Sequence, residues 1–239
     1  MDNTLNIVIP ACGYGRRFQD VGIWLTKPLI KVFDRTLIDW SVSSLGLKGN
    51  YIFIIREEDQ IKFSLASYLR DTFGRCQIIQ LKEGTEGAAC TVLKATKYIN
   101  NDNPLLVANC DQYIEWNPNS FFNKIVNFKA DGGILTFNAD HPKWSYVRLN
   151  DQELVAEVAE KKVISNHASV GVYYWKKGKY FVDSAKRMID LEDRVNNEFY
   201  IAPSYNYCIE DGARIIHYPV RRMLGLGTPE DLEQFRENY

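Results

Sequence analysis

IVIPACGYGRRFQDVGIWLTKPLIKV, Ile7–Val32, opens on an apolar run, Ile7 to Ala11, that reads as a buried strand emptying into a loop. The loop carries Gly13 and Gly15 and is followed at once by Arg16 and Arg17. At Gly13 and Gly15 no Cβ stands in the way of a ligand's approach to the backbone N–H groups, and successive N–H groups form an anion-binding concavity. Arg16 adds a planar, permanently charged fork suited to phosphate oxygens. Lys27 follows eleven residues beyond Arg16, its backbone direction restricted by Pro28. A triphosphate site needs this combination. It is not the dinucleotide fingerprint, because Phe18 stands where the third glycine would be, and it lacks the Gly-Lys-Ser/Thr of a P-loop.

Outward from this stretch, Thr36 to Leu45 reads as a short helix, Tyr51 to Ile55 as a buried strand, Glu58 to Phe73 as a helix and Gln77 to Ile79 as a strand. The polar loop Lys82 to Gly87 precedes a helix from Ala88 to Ile99, and Pro104 to Ala108 is a fourth strand. Strands alternating with helices at this spacing specify a parallel sheet covered on both faces, with ligands held outside the carboxyl ends of the strands. Gly13, Glu86 and Asp111 each follow a strand and fall at that edge. The second half changes character. Ile134 to Phe137, Tyr146 to Leu149, Leu154 to Val158 and Val170 to Trp175 read as strands with short turns. Two helices are expected around Arg187 and Asn206, then a strand from Ile215 to Val220. Thr228-Pro229-Glu230-Asp231 carries the signature of a helix start: a cap, a proline at the first position and acids in the first turn. The expected fold is α/β, a Rossmann-like, mostly parallel and partly mixed central sheet with helices on both faces.

The chain has 239 residues, 46% hydrophobic and 25% charged, which suits one domain, 1–239. A formal net charge of −1 offers no electrostatic case for nucleic acid or an anionic membrane. No apolar run has the length of a membrane span, and the start lacks the pattern of a secretory signal. The five cysteines, scattered and without a C-x-x-C pair, indicate neither a disulfide framework nor a zinc site; the expectation is a cytoplasmic protein.

Taken alone, Gly84–Ala89 is a helix start capped by Thr85 or Gly87, Asp111 is a loop-capping aspartate, and Glu160-Lys161-Lys162 is a solvated charge cluster. Their order along the chain says more. Gly13-x-Gly15-Arg16, Thr26-Lys27-Pro28-Leu29, Glu86-Gly87-Ala88, Asn109-Cys110-Asp111 and Glu160-Lys161 followed by Gly171-Val172-Tyr173 resemble, in sequence, the motifs of the sugar-1-phosphate nucleotidylyltransferases. Thr26 replaces the first proline of that family's P-K-P-L, and the register of the arginine is ambiguous by one.

The resemblance implies an Mg2+-dependent enzyme that joins an NTP to a small phosphorylated acceptor and releases pyrophosphate. It implies nucleotide contacts from Ala11, Cys12, Gly13, Gly15, Arg16, Lys27, Thr85, Glu86, Gly87 and Asn109, with Arg16 and Lys27 catalytic and Asp111 on Mg2+. Glu160, Lys161, Gly171 and Glu198 would meet the acceptor. Residues 1–115 would mainly bind the NTP and 116–239 the acceptor. A carboxylate at Glu86 can accept from the cytosine N4 group, which favours CTP, though a guanine amine would serve as well. The surface-polysaccharide branch of the family supplies the expected use of the product, and a homo-oligomer is left open. One departure stands out. The family commonly reads W-x-D-x-G-T-P near its end, the Asp being a second metal ligand, whereas this chain has Gly225 there. Glu198 or another carboxylate would take over, or one protein ligand would suffice, or activity has been lost. A nucleotide-sugar glycosyltransferase and a non-catalytic nucleotide-binding regulator are the alternatives, the first weakened by the absence of a D-x-D at Asp111-Gln112-Tyr113.

Overall fold

The computed structural model describes residues 4–239. In chain order the first half comprises β1 (Asn6–Ala11), α1 (Arg16–Gln19), a 3-10 turn (Lys27–Leu29), β2 (Lys31–Val32), β3 (Arg35–Thr36), α2 (Leu37–Leu45), β4 (Asn50–Arg56), α3 (Glu57–Phe63), α4 (Leu65–Phe73), β5 (Gln77–Leu81), α5 (Ala88–Leu93), α6 (Thr96–Ile99) and β6 (Leu105–Ala108). The second half comprises β7 (Gln112–Glu115), α7 (Pro118–Asn127), β8 (Gly132–Asn138), β9 (Ser145–Leu149), β10 (Val155–Glu160), β11 (His167–Trp175), α8 (Gly178–Asp190), α9 (Ser204–Glu210), β12 (Ile215–Pro219), β13 (Arg222–Gly225) and α10 (Pro229–Asn238).

The main sheet runs β10-β9-β11-β6-β1-β4-β5, with β8 alongside β11 and β12 beyond it. Its first-half strands pair in parallel, β6 with β1, β1 with β4 and β4 with β5. The order is set by burial on both faces. Side chains alternate along β1 and β4: Val8, Ile52 and Ile54 enter one core with Val92, Phe181 and Tyr205. Ile7, Ile9, Phe53 and Ile55 enter the other with Ile38, Leu69 and Phe121. Each core is closed by helices, α5, α8 and α9 on one face and α2, α4 and α7 on the other. Near-continuous apolar strands of this kind are what a doubly covered sheet requires.

Several local expectations are corrected. The helix expected from Glu58 to Phe73 is two, broken at Ser64, which adopts φ 54°. The Ala88–Ile99 helix is likewise interrupted after Leu93. Helix α7 was not expected, although Asn117 caps it by accepting from the Ser120 N–H and Pro118 opens it. The β7–β13 ladder was also unexpected. It joins segments more than a hundred residues apart, pairing Gln112 with Gly225 and Tyr113 with Leu224. A third apolar cluster, Phe18, Ile30, Val32, Leu37, Trp40, Leu226, Leu232 and Phe235, ties the opening loop to the C-terminal helix. That cluster carries α10 to the edge of the sheet where the strand ends converge.

Candidate active site

At the carboxyl ends of β1 and β6 a cleft of about 390 Å³ is walled by Pro10–Tyr14, Lys27, Pro28, Gly84, Thr85, Gly87, Ala88, Thr91, Asn109–Asp111 and Glu198. A second compartment of about 270 Å³ shares Lys27, Asn109 and Asp111 with it. It adds Arg17, Lys143, Trp144, Lys161, Gly225, Gly227, Thr228 and Asp231. The two meet at Lys27 and Asp111, whose Nζ and Oδ2 lie 2.5 Å apart. A larger groove of about 930 Å³, lined by Trp40, Tyr113, Trp116 and Tyr218 among others, shares no residue with either compartment and holds neither the glycine loop nor Lys27.

Lys27 begins the 3-10 turn, whose second residue is the proline that turned its backbone in the sequence. Burial pulls its pKa down, but Asp111, Cys110 and Asp231 outweigh this, and the net direction is upward. The ammonium is therefore charged and aimed at the junction. Asp111 follows β6, and its carbonyl accepts from the Leu226 N–H at 2.8 Å, which lays the start of the final segment beside it. Asn109 is held from both sides: its N–H donates to the Gly171 carbonyl and its carbonyl accepts from Ser41 Oγ. Gly171 sits in a bulge of β11 at φ +74°, and a Cβ there would lie 2.3 Å from Asn109 Nδ2 and 2.9 Å from Gln112 Oε1. Its missing side chain makes room for those two amides.

Cys12 and Cys110 border the cleft as thiols, not thiolates. Burial, foremost, pushes each up to about 12. Arg16 is exposed, with its guanidinium 5.7 Å from the Tyr14 ring at the rim, while its neighbour Arg17 lines the second compartment. The ambiguity of register in the sequence thus becomes a division of position between the two arginines.

The turn at residues 84–88 is clamped to the segment before α9. The Phe199 N–H donates to the Glu86 carbonyl at 2.8 Å, and the Ala89 N–H to the Phe199 carbonyl at 3.0 Å. Gly87 lies so close that a Cβ would stand 2.4 Å from the Phe199 oxygen. The Glu86 carboxylate is exposed and accepts from Arg194 Nη2 at 2.6 Å, so the wall of the cleft here is Thr85, Gly87 and Ala88. Arg194 gave no signal in the sequence: a lone arginine in a polar loop has no motif.

Glu160, Lys161, Glu198 and Tyr200 form one group beside the second compartment. Lys161, at φ 53°, donates to the Tyr200 hydroxyl, and that bond is the main reason its pKa is raised. Glu160 accepts from Ser145 Oγ, and burial moves its pKa upward. Of this group Lys161 faces the compartment directly, and Glu198 borders the first cleft. Among the described residues no three or more His, Cys, Asp or Glu side chains gather as a metal cage, and no helix is long and apolar enough to cross a membrane.

A strand-end glycine loop, a Lys–Asp pair and two adjoining compartments thus gather at the carboxyl edge of the α/β sheet. The sequence profile of the nucleotidyl transferase family matches residues 6–238, and the chain belongs to that family. Among curated relatives, the mannose-1-phosphate guanyltransferase of Pichia angusta is 22% identical over 169 residues, covering 67% of this chain and 46% of that protein. The glucose-1-phosphate thymidylyltransferase of Neisseria meningitidis serogroup A is 22% identical over 234 residues, covering 95% and 80%. The chain spans about half the length of the guanyltransferases it matches. Among solved structures, the nucleoside-diphosphate-sugar pyrophosphorylase of Vibrio cholerae superposes with a TM-score of 0.83 at 23% identity, over 97% of this chain and 100% of that one. The inositol-1-phosphate CTP transferase of T. maritima does so with a TM-score of 0.73 at 13% identity, over 98% and 96%. At these identities the superpositions establish the shared fold.

Proposed function

We propose that this chain is a nucleotidylyltransferase that joins an NTP to a small phosphorylated acceptor. The observation that carries the reading is the meeting of Lys27 and Asp111 at the junction of two compartments, one walled by exposed backbone and one by cations. An oxygen of the acceptor phosphate attacks the α-phosphorus, the bond from that phosphorus to the bridging oxygen of the β-phosphate breaks, and pyrophosphate leaves. No covalent enzyme intermediate is needed; the protein contributes position and charge.

The backbone of Ala11, Cys12, Gly13 and Gly15, with Arg16 swinging in from the rim, holds the β,γ-phosphates. Lys27 stabilises charge growing on the α-phosphate. Thr85 and Gly87 support the base and Asn109 orients the sugar side of the nucleotide; Glu86, outside the cleft wall and paired with Arg194, favours CTP only by releasing Arg194 and turning inward to an exocyclic amine. Lys161 meets the acceptor phosphate, with Glu160 and Glu198 fixing its surroundings and Gly171 acting through Asn109. Magnesium, held at Asp111 and completed by phosphate oxygens and water, would neutralise phosphate charge. The small second compartment, just below the usual size of about 300–1,000 Å³ for ligand sites, suits a phosphorylated sugar, polyol, amino alcohol or amino-acid derivative. A cytoplasmic enzyme supplying an activated precursor for surface polysaccharide fits this chemistry.

Thermal melting with ATP, CTP, GTP, UTP and dTTP, each with Mg2+, tests the reading. Ligand at a hundred times its dissociation constant adds about 2.7 kcal/mol. The expected result is a clear rise of the midpoint, largest for CTP. A larger rise with another NTP removes the base assignment of Glu86. No rise with any triphosphate, together with a rise from a nucleotide-sugar, replaces the reading with a glycosyltransferase.

A further inference from the structure

Position 225, where the family's second carboxylate would be, is a glycine, and the space its side chain would fill is occupied. A Cβ built on Gly225 would lie 2.9 Å from Asp231 Cγ and 3.0 Å and 3.2 Å from its two carboxylate oxygens. The β7–β13 ladder sets Gly225 opposite Gln112, and Gly225, Asp111 and Asp231 line the same compartment. A second probe gives the same result. A Cβ on Gly227 would lie 3.2 Å from Asp111 Oδ2, 3.4 Å from Asp231 Oδ2 and 3.7 Å from Lys27 Nζ. Two carboxylates and the catalytic ammonium therefore converge on one point, at the wall of the second compartment.

We propose that Asp231 supplies the second carboxylate of the divalent-cation site, in place of a side chain at position 225. The proposal rests on the nucleotidylyltransferase reading of the site. Asp231 comes from the first turn of α10, not from the strand before it. Thr228 caps that helix by accepting from the Asp231 backbone N–H at 3.1 Å, which leaves the carboxylate free to face Gly225. Leu232 and Phe235, packed with Phe18 and Trp40 in the third cluster, seat the helix at the depth where this reach is possible. The glycines at 225 and 227 belong to the same device, since a Cβ at either position would press on the carboxylate. The ordinary reading, an acid favoured near a helix N-terminus, accounts for the residue type but not for a carboxylate packed on Gly225 and converging with Asp111. Oxygen ligands from two carboxylates, with the rest from phosphates and water, are a usual set for magnesium in phosphoryl-transfer sites.

The test measures how Mn2+ adds to the melting shift produced by the triphosphate that stabilises the wild type best, compared with the same nucleotide in EDTA. Asp231→Asn keeps the shape and the Thr228 cap. It should retain the metal-free shift while needing on the order of 10–100-fold more Mn2+ for the metal-dependent increment. An exchange variant, Gly225→Asp with Asp231→Ala, moves the carboxylate to position 225 and should restore the increment. Wild-type Mn2+ dependence in Asp231→Asn overturns the proposal while leaving the nucleotide site standing. No shift with any triphosphate in the wild type overturns the functional reading and the proposal with it. If Asp231→Asn melts early without ligand, the exchange variant decides: a restored increment supports the proposal and a missing one overturns it.

Discussion

Replacing Lys27 with alanine removes the ammonium that meets Asp111 and that, in the proposed reading, stabilises charge on the α-phosphate. The effect on turnover follows from the geometry. The ammonium sits 2.5 Å from Asp111 Oδ2, with only 15% of the side chain exposed, and a neutral water in its place would bring no charge. Loss of a single preorganised charge-stabilising donor costs about 10²–10³ in kcat, ~2.7–4 kcal/mol. The same change leaves Asp111, 30% exposed, without its partner and near Asp231. Orphaning a partly buried acceptor costs about 1–3 kcal/mol, and ~2–4 °C of midpoint per kcal/mol for a chain of this size gives a fall of roughly 2–12 °C. Magnesium added to the variant restores part of that fall, because a divalent cation replaces the missing positive charge between the carboxylates. Pyrophosphate release under single-turnover conditions measures the chemical step, and melting with and without Mg2+ measures the rest. A variant that turns over within about threefold of the wild type refutes the assignment of Lys27 to the transition state.

Gly87→Ala tests whether the turn at residues 84–88, proposed to support the base, depends on its clamp to Phe199. A Cβ would be forced to 2.4 Å from the Phe199 oxygen and 2.5 Å from its nitrogen, at φ +138°. The expected cost is about 1–3 kcal/mol of stability with weakened nucleotide binding, and an unchanged midpoint and unchanged NTP-induced shift would refute the clamp. A pH effect follows from His217, whose pKa burial, Lys124 and His167 bring down to about 4. The folded state favours the neutral ring, so its contribution is intact above the unfolded value of about 6.5 and is lost as pH falls from there towards 4. Midpoints measured between those limits should fall less steeply in His217→Asn than in the wild type, and equal slopes would remove His217 from the acid sensitivity.

The opening strand, its glycine loop and Lys27 are legible in sequence because the signals are local: an apolar run, glycines where backbone must be exposed, a proline behind the lysine. The strand ends carrying Gly13 and Asp111 follow from the alternation of elements, since a parallel sheet places them on one edge whatever the loop details. Helix breaks at Ser64 and after Leu93 were not legible, because the residues on either side keep helical spacing and only packing against the sheet decides where the axis turns. Glu86 was read from its motif, but its partner Arg194 lies 108 positions away, and no pattern in either segment announces the pair.

By itself the sequence determined the layering of the sheet, the glycine loop after its first strand and the absence of a carboxylate at position 225. These depend on periodicity and on residue type, both of which are properties of short stretches. Tertiary structure alone decided which arginine faces which compartment, where the Glu86 carboxylate rests and what fills the space beside Gly225. The Glu86 carboxylate rests where Arg194 holds it, and what fills the space beside Gly225 depends on how α10 is seated by Phe18, Trp40, Leu232 and Phe235, side chains from both ends of the chain. The Asp231 carboxylate, six residues beyond Gly225, fills the space beside that glycine because α10 is seated against the end of the sheet and Gly225 has no side chain.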